Sequence, residues 1–65
     1  MPLAEITIVE GRAPEKKRKM LEEVTKAIAE SLDAPIESIR VVIREVPPAH
    51  WGIGGKPYDE VRKQK

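Results

Sequence analysis

Residues 39–46 read Ile39-Arg40-Val41-Val42-Ile43-Arg44-Glu45-Val46. Ile39, Val41 and Ile43 alternate against Arg40, Val42, Arg44 and Val46, so the stretch predicts a β-strand with apolar side chains on both faces. That pattern belongs to parallel sheets, which are covered on two sides. Leu3 to Val9 has the same character, with Ala4, Ile6 and Ile8 on one face and Leu3, Glu5, Thr7 and Val9 on the other. Gly11 breaks this first strand, and Pro14 suits the opening turn of a helix, where its missing N–H costs nothing. The helix runs to about Leu32. Its apolar stripe is Met20, Leu21, Val24, Ala27, Ile28, Ser31 and Leu32, at three- and four-residue spacings. Glu15 with Lys19, Glu22 with Lys26, and Lys26 with Glu30 are spaced for ion pairs along its other face. Asp33, Ala34 and Pro35 end it. Strand, crossover helix and strand together make a right-handed βαβ unit with parallel strands.

Working outward, Pro47 and Pro48 stop the second strand, and His50-Trp51-Gly52-Ile53-Gly54-Gly55 predicts a turn or short hairpin. The tail Lys56 to Lys65 is polar, with Tyr58 and Val61 to order part of it. The fold class is α/β: one domain over residues 1–65, without repeat or linker. One helix covers only one face of a two-stranded sheet, yet both faces are apolar. The uncovered face is therefore expected to meet other subunits.

Composition points the same way. A chain of 65 residues seldom stabilises itself with a single core. It has no cysteine for a disulfide framework, and His50 is its one histidine, so clustered metal ligands are missing and no metal site is expected. Oligomerisation is the remaining way to bury surface. No apolar run approaches the roughly 20 residues of a membrane span, and no basic-then-apolar leader opens the chain, so a cytoplasmic protein without membrane partners is expected. Twelve Lys and Arg against eleven Asp and Glu leave a net charge of +1, too balanced for a nucleic-acid partner. The run Lys16, Lys17, Arg18 and Lys19 reads as a solvated helix face, with Glu15, Glu22 and Glu23 close by. Gly54-Gly55-Lys56 lacks the spacing of a phosphate loop.

Pro2 follows directly on Met1. Removal of Met1 leaves a secondary amine at the terminus, a basic group that no internal amide can offer. An unperturbed α-amino group titrates at about 7.7 to 8.0, and burial beside cations lowers it toward the range a general base needs.

Pro2-Leu3, the strand end Val9-Glu10-Gly11-Arg12, the single amphipathic helix, Arg40 in the second strand and Trp51-Gly52-Ile53-Gly54-Gly55 together resemble the 4-oxalocrotonate tautomerase family. The resemblance spans nearly the whole chain. It implies a homohexamer built as a trimer of dimers, with the amino-terminal proline moving protons in 2-hydroxydienoate or 2-oxo acid substrates and no metal or organic cofactor. It further implies that Arg12 holds the far carboxylate of a dicarboxylate, and that an aromatic side chain at Trp51 lines the pocket. Trp51 is bulkier than the Phe or Tyr more often found there, and Ala13 stands where a capping Ser is usual.

The residues support this chemistry independently. Converting an enol acid to its keto isomer needs a base that takes the hydroxyl proton and returns one to a carbon further along the conjugated system. Pro2 is the candidate for both steps. Arg40, a charge amid apolar neighbours, is the candidate to hold the near carboxylate and the charge growing on the 2-oxygen, through its fixed fork of donors. Arg44, on the same face, could be the pocket arginine instead, but is read in preference as an interface salt bridge. A strand advances about 3.3 Å per residue, so Pro2 and Arg12 of one chain lie roughly 20 Å or more apart. A six-carbon dicarboxylate cannot span that distance, and a shared site needs two chains. The activity the resemblance implies is that of a cofactor-independent tautomerase acting on a substrate such as the 2-hydroxymuconate of aromatic-compound catabolism. The alternatives are a hydratase or dehalogenase of the same superfamily, disfavoured by the missing carboxylate in the Trp51 turn, and a non-enzymatic βαβ assembly protein.

Overall fold

A computed structural model describes residues 1–63. Strand β1 is Leu3–Val9, helix α1 is Pro14–Leu32 and strand β2 is Arg40–Val46, with a one-turn 3₁₀ helix at Ile36–Ser38 before β2. The β1 and β2 strands are parallel, in a register that sets Leu3 beside Arg40, Ile6 beside Ile43 and Val9 beside Val46. The βαβ unit expected from the apolar pattern is therefore present. Its second strand starts one residue late. The Ile39 N–H closes the 3₁₀ turn on the Ile36 carbonyl at 3.2 Å, so the ladder begins at Arg40.

Helix α1 opens with Pro14 on an extended Ala13 that offers no side-chain cap, and closes on Asp33 in the left-handed region at φ 56°. Aspartate tolerates that conformation better than most residues. Met20, Val24 and Ile28 of the expected stripe are half-buried, joined by Lys17, Thr25 and Ala29. Leu21, Ala27, Ser31 and Leu32 are exposed instead, Leu32 at 63%. Two strands are too narrow to cover the full stripe. The ion pairs also differ from the sequence pattern: among the described residues they run between elements, Lys17 to Glu45 at 3.0 Å and Arg44 to Glu5 at 3.1 Å, and not along the helix.

A 3₁₀ turn at Pro48–His50 leads to a hairpin of β3 (Gly52–Ile53) and β4 (Lys56–Pro57). Its two turn residues, Gly54 and Gly55, have φ of 60° and 88°. Positive φ at both positions makes the tight turn whose twist matches the strands it joins, and glycine is suited to it. The tail expected to be only partly ordered forms helix α2 (Tyr58–Lys63), with Tyr58 and Val61 half-buried; residues 64 and 65 of that tail lie outside the described residues.

This subunit has almost no interior of its own. Ile39 is the one buried hydrophobic side chain among the described residues, while Leu3, Ile36 and Ile53 are largely exposed. The Cα radius of gyration is 15.1 Å, against about 11 Å for a compact domain of this length. Exposed apolar side chains on an elongated βαβ unit are surfaces for association.

Candidate active site

Alternation along the paired strands sorts their side chains. Ala4, Ile6, Ile8, Val41, Ile43 and Glu45 take the parity of the helix side, where Glu45 meets Lys17 of α1. Leu3, Glu5, Thr7, Arg40, Val42 and Arg44 take the open face, where Arg44 meets Glu5. Within the chain, Arg44 pairs with Glu5 at 3.1 Å, and both side chains stay largely exposed.

The candidate residues fall into two groups. At the start of the sheet, the Pro2 carbonyl accepts the Arg40 backbone N–H at 3.0 Å. Pro2 is half-buried, whereas Met1 is 85% exposed. With Met1 attached, the Pro2 nitrogen is an amide without a basic lone pair. The Arg40 side chain is exposed, and its Nη1 donates to the Glu37 carbonyl at 2.8 Å and to that of Ile39 at 3.4 Å. Its remaining donors stay available to a ligand.

At the opposite end of the sheet, an open cleft of about 740 Å³ is lined by Ile8, Val9, Glu10, Arg12, Lys16, Trp51 and Tyr58, among others. Gly11, at φ 125°, turns the chain out of β1 and delivers Arg12 to this cleft. The guanidinium of Arg12 makes one long hydrogen bond, 3.4 Å to the Val9 carbonyl. Trp51 is half-buried, and its carbonyl accepts the Tyr58 N–H at 2.7 Å, so the hairpin brings the two aromatic residues to one wall. The structure thus joins Arg12 with Trp51, ties Pro2 to Arg40 through the backbone alone while alternation sends their side chains to opposite faces, and separates the two groups by the length of β1. A second concavity, along α1, is lined by Leu21, Thr25, Ala29 and Ile36 and contains none of the candidate residues.

Sequence reasoning missed two members of the cleft. Lys16 was hidden in a basic run that reads as solvated, although it lies in the first turn of α1, four residues after Arg12. Tyr58 was hidden in a polar tail, where an aromatic residue just after a tight hairpin was the available signal. Among the described residues no three His, Cys, Asp or Glu side chains converge to hold a metal ion.

Fold and site define a small self-associating βαβ subunit, with Pro2 at one pole and a cationic, aromatic-walled cleft at the other. A family model described as tautomerase enzyme matches residues 2–60. The 2-hydroxymuconate tautomerase of Pseudomonas sp. (strain CF600) is 49% identical over 63 residues, covering 97% of this chain and all of that relative. Among solved structures, TomN, a 4-oxalocrotonate tautomerase homologue of the tomaymycin biosynthetic pathway, superposes with a TM-score of 0.93 at 39% identity over 95% of each chain. A heterohexamer 4-oxalocrotonate tautomerase from Chloroflexus aurantiacus J-10-fl gives 0.90 at 40% identity, over 95% of this chain and all of the other. The chain belongs to the tautomerase family. Its activity is that of a tautomerase, an isomerase.

Proposed function

We propose that this tautomerase converts a 2-hydroxydienoate dicarboxylate such as 2-hydroxymuconate to its 2-oxo isomer, with Pro2 as the proton-transfer group once Met1 is removed. The Pro2 nitrogen takes the 2-hydroxyl proton as the C–O bond gains double-bond character and the electron pairs shift along the diene. The resulting prolinium returns a proton to a carbon further along. Arg40 binds the near carboxylate and the 2-oxygen, where two fixed donors offset the growing negative charge. Arg12 binds the distal carboxylate, and Trp51 supplies an apolar wall that excludes water. Proton transfer by an amine requires no metal or organic cofactor.

The observation that carries this reading is the division of the site between the two ends of one subunit. Pro2 and Arg12 bracket the seven-residue strand β1, so a substrate touching both needs two chains. The assembly proposed is a homohexamer, a trimer of dimers; the exposed apolar surface supports self-association, and the heterohexameric relative from C. aurantiacus supports the count of six subunits. A cytoplasmic setting agrees with the lack of cysteine, and Met1, being exposed, is accessible to an aminopeptidase.

The test is ultraviolet monitoring of 2-hydroxymuconate ketonisation by protein whose mass shows that Met1 is gone. Pro2→Ala is expected to lower kcat by about 10² to 10⁴, the range of general acid–base catalysis. An unchanged rate ends the proline mechanism.

A further inference from the structure

The cleft holds more charge than the proposed chemistry uses. Its charged side chains are Glu10, Arg12 and Lys16. Glu10 and Arg12 offset one another, which would leave the cleft neutral toward an incoming carboxylate. Lys16 makes it positive. The neighbouring Lys17 is engaged by Glu45 through two 3.0 Å contacts that tie α1 to β2. Among the described residues, Lys16 has no carboxylate within ion-pair distance. Its position also goes against helix electrostatics: it sits in the first turn of α1, where a cation meets the positive end of the dipole. A lysine held there without a partner, on the wall of a concave site that contains an arginine, is placed for an anionic ligand.

We infer that Lys16 is a specificity-determining residue that selects substrates with a second, distal carboxylate. This rests on the proposed reading of the cleft as the distal half of the active site. Arg12 grips that carboxylate through its planar fork, and Lys16 contributes a point charge that outweighs Glu10. The Lys16 ammonium touches no reacting atom. Its removal therefore acts on binding, through KM, and leaves the proton-transfer steps alone.

The experiment compares 2-hydroxymuconate with the monocarboxylate 2-hydroxy-2,4-pentadienoate, using Met1-free Lys16→Gln, Lys16→Glu and Lys16→Arg, with Pro2→Ala in parallel. Lys16→Gln is expected to lower kcat/KM for the dicarboxylate about fivefold to tenfold through KM, while the monocarboxylate changes less than about twofold. Lys16→Glu lowers the dicarboxylate value further, and Lys16→Arg restores it. Lys16 is exposed, so circular dichroism of each variant should match the parent. If both substrates lose by the same factor, or neither changes, while Pro2→Ala still lowers kcat by about 10² or more, Lys16 has no such role and the proline reading stands. If Pro2→Ala retains full activity toward both, the reading beneath the inference is overturned.

Discussion

The backbone N–H of Arg40 donates to the carbonyl of Pro2 at 3.0 Å, immediately before the parallel ladder of Leu3 with Arg40 begins. One backbone bond thus fixes the amino terminus to the second strand. Beyond Cα the two residues diverge: alternation puts Arg40 on the open face, while Pro2 has the parity of Ala4 and Ile6 on the helix side. The guanidinium is also hydrogen-bonded to the Glu37 carbonyl at 2.8 Å, within the turn that precedes β2.

Arg40→Ala tests the role proposed for that side chain. Its hydrogen bonds within the chain go to two main-chain carbonyls at an exposed position, so its loss should cost little stability. If it holds the 2-oxygen, kcat should fall about 10² to 10³, the cost of removing one oxyanion donor. Steady-state kinetics alongside a melting curve separate the two effects. A variant that melts early but turns over normally makes Arg40 structural.

Subunit mixing tests the division of the site. Pro2→Ala and Arg12→Ala each damage a different pole, so each homo-oligomer is impaired. Refolded together, subunits assort at random, and a site drawing Pro2 from one chain and Arg12 from another recovers both wild-type residues about one time in four. Activity should therefore rise above either parent on mixing. No recovery, with mass spectrometry showing mixed oligomers, means that one chain supplies both residues.

The βαβ topology was legible because its signals are local: the apolar alternation of Leu3–Val9 and of residues 39–46, the helical spacing of Met20, Val24 and Ile28, and the breakers Gly11 and Pro47. Boundaries and partners were less so. Ile39 fits the strand pattern, but its N–H is taken by a 3₁₀ turn that apolar periodicity does not encode. Helical spacing alone offers α1 its own ion pairs, whereas Lys17 reaches 28 residues on to Glu45, a contact that exists only once α1 lies on the sheet. Pro2, Arg12, Arg40 and Trp51 could be named from motif residues. Lys16 and Tyr58 could not, because it is the folding of the hairpin and the first helical turn around Arg12 that brings them together.

Stability should depend on protein concentration. A subunit with one buried apolar side chain among its described residues gains most of its burial between chains, and a linked equilibrium of folding and assembly lowers Tm on dilution. Calorimetry over a hundredfold range of concentration should show a steady decrease. A Tm independent of concentration, with sedimentation showing a monomer, contradicts the shared-site proposal as well.

Gly11→Ala separates backbone strain from packing at the turn that delivers Arg12. Gly11 has φ 125°, and a Cβ added there meets nothing within 4 Å, so any cost comes from the backbone conformation and not from a clash. Holding a residue with a side chain in such a region costs about 1 to 3 kcal/mol. Gly52 is the control: it too has open space around its Cβ position, but its φ lies outside the positive range. Gly52→Ala should stay within about 0.5 kcal/mol, as substitutions without clash or strain usually do. Denaturant midpoints for the two variants should therefore differ, with Gly11→Ala lower. The kinetic consequence follows from the same geometry. If relief of the strain shifts the turn, Arg12 moves relative to Trp51, and KM for a dicarboxylate should rise more than KM for a monocarboxylate. Equal midpoints for the two alanine variants would show that the turn after β1 relaxes without cost and does not hold Arg12 in place.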